Sequence, residues 1–236
     1  MRMLSDRLKA IALEIYSGET MADIGTDHGY LPLFLWENGI CPKVILTDIS
    51  EASLDKAKAN AGSMQFGRSV VFRVGNGIRP LSSGEVDDIV IAGLGGMMMI
   101  GILGDDIIKS KSYKKFVLQP RTSCGPLRHW LIHNGFTIDS ECLVREGKYI
   151  CEILTVVPKQ LKVVDFSLMK EPPDSIKWEV PSWIAVDKDD LTYDYLDRKL
   201  KREEKIYSEM QQSDNANQKI IKENIDYLNK LIEDDQ

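Results

Sequence analysis

ADIGTDHGYLP, residues 22–32, is the stretch from which the fold of this chain can be inferred. A short apolar strand ends in it, and a turn with two glycines follows. A helical pattern begins near Tyr30, with Pro32 in its first turn, where proline is tolerated. Asp27 and His28 lie in the turn, shortly after Asp23. Because α/β proteins hold ligands at the carboxyl ends of parallel strands, the stretch predicts a ligand-binding loop.

Strand and helix patterns alternate on both sides of this loop. Short apolar runs predict strands over residues 20–25, 43–48, 69–74, 86–92 and 115–118. Helical spacing or capping predicts helices over residues 4–16, 30–38, 50–64, 97–108 and 126–134. Residues 136–144 and 149–157 predict a hairpin closed by the charged turn REGK. This order predicts an α/β fold with a mainly parallel sheet, helices on both faces and an antiparallel edge.

The sequence changes character after residue 157. Residues 158–187 contain four prolines and predict a connector with one short helix. From residue 188 onward, apolar residues recur at helical spacing in two runs separated by the polar segment SDNANQ. The runs predict an antiparallel helical pair whose apolar stripes form its core. We therefore divide the chain into a ligand-binding domain (1–157), a connector (158–187) and a helical hairpin (188–236).

Composition limits the class of protein. Of the 236 residues 43% are hydrophobic, and the net charge is −6, so the total charge does not favour nucleic acid, although a local basic face remains open. The four cysteines form no CxxC pair, which favours reduced thiols over a zinc site or disulfides. The amino-terminal stretch has no signal-peptide core, and no apolar run reaches the ~20 residues of a membrane span. We expect a soluble cytoplasmic protein without membrane contact.

The loop departs from the dinucleotide fingerprint at one residue. That fingerprint needs a second glycine where this chain has Asp27, because the backbone must approach a pyrophosphate there. A carboxylate at this point repels phosphate, which disfavours NAD, FAD and ATP. A ligand with hydroxyls, a positive charge and no phosphate fits better. S-adenosylmethionine is such a ligand.

The loops after the next three strands favour the same ligand. Asp48 ends the second strand, where a carboxylate can accept hydrogen bonds from a ribose diol. Asn76 follows the third strand between two glycines, where an amide can pair with an adenine edge. Gly93 and the glycines after it follow the fourth strand and permit a close approach of backbone to ligand. Each signal alone is weak, but the four loops agree.

These motifs resemble one family. ADIGTDHGYLP, GNG at 75–77, AGLGG at 92–96 and LQPR at 118–121 are similar to the bacterial tRNA (adenine-N1)-methyltransferases that modify adenine 22, the TrmK family. The resemblance extends over nearly the whole chain. It implies a Rossmann-like class I methyltransferase with a carboxy-terminal coiled-coil-like domain. The implied reaction is transfer of a methyl group from S-adenosylmethionine to N1 of a tRNA adenine.

The resemblance also implies which residues bind the cofactor. Five residues of the first loop are expected around its methionine part, two around the ribose, two at the adenine and two beside the sulfonium. In that order they are Asp23, Gly25, Asp27, His28 and Gly29; Asp48 and Ile49; Asn76 and Gly77; Ala92 and Gly93. Three positions depart from the family pattern. Asn76 replaces a common aspartate, Leu94 a common methionine, and Arg121 a common asparagine.

Asp27 is the candidate catalytic residue. Adenine N1 has an in-plane lone pair and no proton, so it can attack the methyl group in line without a strong base. The first product is cationic, and a carboxylate can stabilise it or later accept a proton from N6. The alternative, that Asp27 only binds the cofactor or caps the helix, stays open. We expect no metal, because the three histidines show no ligand spacing.

A local basic region favours an RNA partner. Residues 109–148 contain eight basic and three acidic residues, and the run RKLKR at 198–202 adds a basic stripe. The candidate RNA-binding residues are Arg7, Arg121, Arg128, Arg198, Lys201 and Arg202. We expect the chain to bind tRNA as a monomer, with a dimer left open. Two alternatives remain: a class I methyltransferase acting on another substrate, and a non-catalytic module that binds S-adenosylmethionine or RNA.

Overall fold

A seven-stranded sheet forms the centre of the protein. The structure, a computed structural model, describes residues 3–62, 67–159, 167–210 and 215–233. The strands are β1 (Met21–Ile24), β2 (Val44–Asp48), β3 (Val70–Val74), β4 (Asp88–Leu94), β5 (Lys115–Pro120), β6 (Thr137–Glu146) and β7 (Tyr149–Val157). Their spatial order is β3-β2-β1-β4-β5-β7-β6. The first five strands pair in parallel and the β6–β7 hairpin is antiparallel, as predicted.

Nine α-helices surround or extend this sheet in the described part of the chain. They are α1 (Asp6–Leu13), α2 (Tyr30–Glu37), α3 (Glu51–Ala61), α4 (Gly96–Asp105), α5 (Ile107–Ser110), α6 (Cys124–His133), α7 (Ile176–Glu179), α8 (Asp190–Glu209) and α9 (Asn215–Glu233). Ser5 caps α1, with its hydroxyl accepting from the amide of Leu8. The predicted end of α3 near residue 64 lies outside the described residues.

Strand order reverses beside β1. Its register pairs Met21 with Val44 of β2 on one side and with Asp88 of β4 on the other, in parallel in both cases. The chain winds outward to β3 on the first side and to β5 on the second. The loops after β1 and β4 therefore open a crevice at the carboxyl edge of the sheet, which is where such folds bind ligands.

The central strands are buried on both faces. In β1, Ala22 and Ile24 belong to one apolar cluster, and Met21 belongs to the cluster on the opposite face. β4 alternates in the same way, with Ile89 and Ile91 on one face and Val90 on the other. Helices cover both faces, which explains the nearly continuous apolar runs of these strands.

The connector packs against the sheet domain. Trp178 of α7 is fully buried in a cluster with Ile132 and Leu168. Two 3₁₀ turns, Leu168–Lys170 and Ser182–Ala185, flank α7, so the described connector holds more helical structure than the one short helix predicted. Residues 160–166 of the connector lie outside the described part. The prolines and tryptophans of the connector lie within an otherwise charged stretch, and Trp178 is a residue through which it packs on the sheet domain.

The tail is a helical pair, as predicted. α9 returns along α8, with Leu228 and Leu231 of α9 in one apolar cluster with Tyr195 and Leu196 of α8. Glu203, which replaces an apolar residue in the stripe of α8, is buried and accepts a hydrogen bond from Nδ2 of Asn224 at 2.9 Å. Of the predicted polar link SDNANQ, residues 213 and 214 lie outside the described residues, whereas 215–218 already belong to α9. Coiled-coil packing of the pair stays a prediction.

Two predicted helices have different bounds for identifiable reasons. The helix predicted over 97–108 breaks at Asp106, whose φ of −145° is not helical and whose side chain caps the amide of Lys109. The helix predicted from 126 begins at Cys124, because Pro126 fits its first turn. None of the described helices is both long and apolar enough to cross a membrane.

Candidate active site

Asp23 places a carboxylate inside the protein at the crevice. Its Oδ2 accepts a hydrogen bond of 2.6 Å from the hydroxyl of Thr26, and the residue is only 8% exposed. Burial raises the pKa of Asp23 to about 6, and the charge of Asp48 adds to the increase. Arg7 acts in the opposite direction, but no described cation forms an ion pair with Asp23. The carboxylate is therefore suited to a cationic ligand.

Asp27 keeps the backbone shape that the missing glycine would have. Its φ is +44°, in the left-handed region, which aspartate tolerates better than most residues. Its amide donates to Oδ2 of Asp48 at 3.3 Å. The missing glycine is evident in the sequence, whereas the left-handed φ of Asp27 is visible only in the structure. The turn therefore presents a carboxylate at the position where the dinucleotide fingerprint has a glycine.

The side chain of Asp27 has two neighbours at the surface, a histidine and a lysine. Its carboxylate contacts Nδ1 of His28 at 2.6 Å and Nζ of Lys56 at 3.0 Å. Desolvation acts to raise the pKa of Asp27, but the hydrogen bonds and charges of Lys56 and His28 hold it below its ordinary value. Asp27 therefore remains ionised at neutral pH and is a weak proton acceptor. Lys56, on α3, carries no motif that could have signalled this contact.

A cavity of 360 Å³ is lined by most of the residues that were predicted to surround the methionine part and the sulfonium of the cofactor. Asp23, Gly25, Asp27 and His28 line it from the loop after β1. Its other side is lined by Ala92 and Gly93 of β4, and by Leu94, Arg7 and Arg121. Gly29 lies next to this group as the left-handed cap of α2. The volume is in the range of small-molecule sites.

Asp48 ends β2 and Ile49 follows it, next to Asp27 of this cavity. Asp48 Oδ1 accepts from the amide of Ser50 at 2.8 Å, while Oδ2 accepts from Asp27, so the carboxylate is held in place and keeps lone pairs for a ligand. Ile49 is 71% exposed and offers an apolar side chain to solvent. Both residues lie at the edge where a ribose was predicted.

A second cavity, of 310 Å³, contains the predicted adenine contacts. Asn76 and Gly77 line it together with Met98 and Ile102 of α4. Gly77 has a φ of +56°, and a Cβ there would lie 2.9 Å from Cγ2 of Ile102. Glycine is therefore required for α4 to approach this loop so closely. The contribution of α4 was not predicted, because the sequence gives no signal that distinguishes Met98 and Ile102 from other apolar helix residues.

Arg7 belongs to the crevice and ties three elements together. Its Nη1 donates to Oε1 of Gln119 at 3.0 Å, and its Nε donates to Glu146. Gln119, at the end of β5, is buried and also donates to the carbonyl oxygen of Pro120. Arg7 was predicted only as an RNA contact; its place in the cavity wall was missed because α1 is distant in sequence.

The prediction that Arg128 contacts RNA is wrong. Arg128 is fully buried in α6 and ion-pairs with Glu141 and Glu152. Its Nη1 also donates to the carbonyl oxygens of Trp178 and Glu179, at 2.9 and 3.0 Å. The basic count that suggested it cannot distinguish a surface arginine from a buried structural one.

The other predicted RNA contacts lie at the surface. Arg121 is exposed in the loop after β5, and Arg198, Lys201 and Arg202 are exposed on α8. Arg198 binds Asp194, and Lys201 binds Asp197. Arg121 and Arg202 line one further cavity between the sheet domain and α8.

One described group of side chains has metal-ligand spacing. Ligand atoms of Cys124, Glu141 and Glu152 lie within 4.8 Å of one another. Both carboxylates already bind Arg128, and Glu152 also lies 3.8 Å from Nζ of Lys199. Burial raises the pKa of the Cys124 thiol well above its ordinary value, which disfavours the thiolate that metals bind. The arrangement is that of a buried ion-pair network.

Comparisons with known proteins agree with this architecture. A family model described as a methyltransferase domain matches residues 4–154. The matched range covers the sheet from β1 to most of β7 and the two cavities that contain predicted cofactor contacts. By its fold and site the protein is a methyltransferase of the Rossmann-like class I type.

Three relatives define the family more narrowly. The tRNA (adenine(22)-N(1))-methyltransferase of Bacillus subtilis is 31% identical over 151 residues, which are 64% of this chain and 63% of that protein. The putative tRNA methyltransferase MG248 of Mycoplasma genitalium is 30% identical over 172 residues, 71% of this chain and 75% of that protein. The structure of M. capricolum TrmK in complex with S-adenosyl-homocysteine is 25% identical, covers 98% of each chain and has a TM-score of 0.79. This chain belongs to the TrmK family.

The extent of these matches differs. The sequence match spans just under two thirds of the length of the Bacillus subtilis relative. The structural match to M. capricolum TrmK extends through the carboxy-terminal helices as well.

Proposed function

We propose that this protein transfers a methyl group from S-adenosylmethionine to N1 of an adenine in tRNA, at position 22 of the D-arm. The observation that carries the proposal is the buried carboxylate of Asp23, raised in pKa and without an ion-pair partner among the described residues, on the wall of a cavity at the β1–β4 crevice. Membership of the TrmK family supports the choice of tRNA.

The residues present fit this cofactor. S-adenosylmethionine supplies an electrophilic methyl group on a positively charged sulfur and carries an α-ammonium group. Asp23 neutralises the ammonium, and Gly25 and Gly93 leave their sides of the cavity free of side chains. Asp48 accepts from the ribose hydroxyls, with Ile49 beside it. Asn76 and Gly77 bind the adenine against Ile102.

The target base approaches from the side of Arg121. Arg121 lines the cofactor cavity at Gly93, where its Nε lies 3.9 Å from the position that a Cβ would take. Adenine N1 needs no base to remove a proton, so the main task of the chain is to hold the nucleophile in line with the methyl group. Arg7 donates a hydrogen bond to Gln119 at the end of β5. This contact fixes the start of the loop that carries Arg121.

We assign Asp27 an electrostatic role in catalysis. Its depressed pKa makes it a poor proton acceptor, whereas its permanent charge stabilises the cationic adenine that forms on methylation. His28 and Lys56 keep the carboxylate at the cavity wall. His28 serves the cofactor site mainly through this contact.

The tRNA is gripped by the edge of the sheet domain and the helical tail. Arg121, Arg198 and Arg202 supply cations around one cavity, Lys201 supplies one on the surface of α8, and Arg7 supplies one at the cofactor cavity. In this arrangement residues 1–157 bind the cofactor, 158–187 fix the orientation, and 188–236 hold the RNA.

The experiment is methyl transfer to tRNA transcripts. Wild-type protein with radiolabelled S-adenosylmethionine is expected to label a transcript with adenine at position 22, and not one with guanine there. Nucleoside analysis should yield 1-methyladenosine. Cofactor binding by calorimetry without transfer to any tRNA would instead favour a binding module.

A further inference from the structure

A third cavity, of 490 Å³, opens between the sheet domain and the helical tail. The loop after β5 forms one wall with Arg121, and the start of β7 forms another with Tyr149. α8 closes it with Arg198, Lys199 and Arg202. We call this space the tail cleft. It is distinct from the cofactor cavity, but Arg121 lines both.

The walls of the tail cleft are held in place by paired side chains. Arg198 donates to Asp194 and to the carbonyl oxygen of Lys148, which fixes α8 against the β6–β7 turn. Arg145 binds Asp194 from the same hairpin at 2.6 Å. Lys199 binds Glu179 at 2.6 Å. These contacts occupy two of the cations of the cleft, Arg198 and Lys199, and make the cleft a preformed space.

Two cations of the tail cleft are left over. Arg121 and Arg202 are both exposed, and neither side chain has a hydrogen bond or an ion pair with any described residue. Guanidinium groups prefer bidentate partners such as phosphate. Two unpaired guanidiniums in one cleft therefore indicate an anionic ligand.

The rim of the tail cleft also carries an exposed aromatic ring. Tyr149 is 63% exposed, and Nζ of Lys148 lies 5.3 Å from its ring centroid. Single-stranded RNA is bound by aromatic rings that stack on bases, together with cations that contact phosphates. An exposed tyrosine beside two free guanidiniums has the composition of such a site.

We infer that the tail cleft is a second nucleotide subsite, which holds an unpaired nucleotide adjacent to the target adenosine. Tyr149 stacks on its base, and Arg121 and Arg202 bind the phosphates on its two sides. Arg121 also lines the cofactor cavity. It therefore binds the phosphate that links this nucleotide to the target adenosine. The inference rests on the proposed function and adds a requirement: a neighbour of the target base must leave the helical stack with it.

The first test measures binding of a fluorescently labelled tRNA transcript to single variants. Tyr149→Ala is expected to weaken the affinity about tenfold, while Tyr149→Phe keeps it, because stacking needs the ring and not the hydroxyl. Arg202→Ala should weaken binding and lower the slope of log Kd against log salt by about 0.7, the value for one phosphate contact in a single strand. Lys205→Ala, an exposed cation on α8 that pairs with Glu209 outside the cleft, is the matched control and should change neither.

The second test removes the partner base. Transcripts with an abasic site on the 5′ or on the 3′ side of the target adenosine are titrated against wild type and Tyr149→Ala. On one side of the target, the abasic site should weaken wild-type binding about tenfold. The same abasic site should leave the affinity of Tyr149→Ala unchanged, because this variant has no ring on which the base could stack. Melting temperatures of all variants should match wild type, since both residues are exposed.

Equal losses in both proteins, or unchanged affinity of Tyr149→Ala and Arg202→Ala, would overturn the subsite. Those results leave methyl transfer by the wild type untouched, so they do not bear on the proposed function. Conversely, absent methyl transfer by the wild type contradicts the proposed function, while the binding measurements still decide the subsite. A wild type that binds no tRNA contradicts both.

Discussion

Asp23 and Asp27 lie on one loop and have opposite electrostatics. Asp23 is buried and has a pKa raised to about 6, whereas Asp27 is exposed and has a pKa below its ordinary value. Such pairs of acidic groups, separated in pKa by their surroundings, are typical of functional sites. In the proposed reaction the first binds a positive charge in the ground state, and the second stabilises one that develops.

The pH dependence of cofactor affinity reports on Asp23. In the free protein this carboxyl is half protonated at about pH 6, and an ammonium beside it favours the ionised form. The affinity for S-adenosylmethionine should therefore fall as pH decreases below about 6, by up to about tenfold per pH unit, and be flat above it. Calorimetry between pH 5 and pH 8 measures this, and Asp23→Asn should show a weak, pH-independent affinity.

The stability of the free protein should change with pH in the opposite direction to the cofactor affinity. A raised pKa means that the folded state prefers the protonated acid, so the stabilisation is fully present below the ordinary pKa of 3.8 and is lost as pH rises through about 6. At pH 7.5 the free Asp23→Asn variant should thus be at least as stable as wild type in thermal unfolding. A clearly destabilised variant would mean that the buried charge has a structural partner.

The Asp27→Asn variant distinguishes a role of Asp27 in cofactor binding from a role in catalysis. Asparagine also tolerates the left-handed φ of +44°, so the turn is kept while the charge is removed. We expect an affinity for S-adenosylmethionine close to that of wild type and a loss in kcat of about tenfold or more, as for other preorganised charges. Single-turnover methyl transfer and calorimetry measure the two quantities. Lost cofactor affinity with normal kcat would assign Asp27 to binding alone.

At the scale of elements, Gly125 allows α6 to pack closely against α7. A Cβ on Gly125 would lie 2.9 Å from the backbone nitrogen of Glu179, and the amide of Gly125 donates to Oε2 of Glu179. Backbone cannot yield as a flexible side chain can. Gly125→Ala should therefore lower the free energy of unfolding by about 1–3 kcal/mol. Gly101→Ala, a helix glycine with open space around it, is the control and should stabilise by about 0.5–1 kcal/mol.

Arg128 joins these same elements to the β6–β7 hairpin. Removing its charge leaves Glu141 buried without an ion pair among the described residues and leaves Glu152 with only Lys199, at 3.8 Å, so Arg128→Met should cost about 3–5 kcal/mol in chemical denaturation. Adding Glu141→Gln and Glu152→Gln should recover part of that loss. A variant with full stability but weakened RNA binding would restore the rejected surface role of Arg128.

The elements were largely predictable from the sequence, whereas the residues that connect them were not. Alternating apolar runs and glycine turns gave the strands, their order along the chain and the loop motifs, because these depend on local spacing. Arg7 in the cavity wall, Lys56 beside Asp27 and the burial of Arg128 depend on contacts between segments distant in sequence. The break at Asp106 depended on one side-chain cap, which a helical pattern of apolar residues does not reveal.

At the scale of the whole molecule, an acidic protein brings several cations together beside its tail. The net charge is −6, yet Arg121, Arg198 and Arg202 line one cavity between the sheet domain and α8. Binding that depends on these cations should weaken steeply with salt, since counterions return to the RNA. The tail packs on Leu143 and Ile150 of the hairpin, so its orientation is fixed relative to the cofactor cavity.

The central claim is tested most directly by methyl transfer to paired tRNA transcripts that differ only at position 22. The account predicts 1-methyladenosine at that position in the adenine transcript, no product in the guanine transcript, and loss of product with Asp23→Asn. Equal labelling of both transcripts, or product on another base or on no RNA, would contradict it.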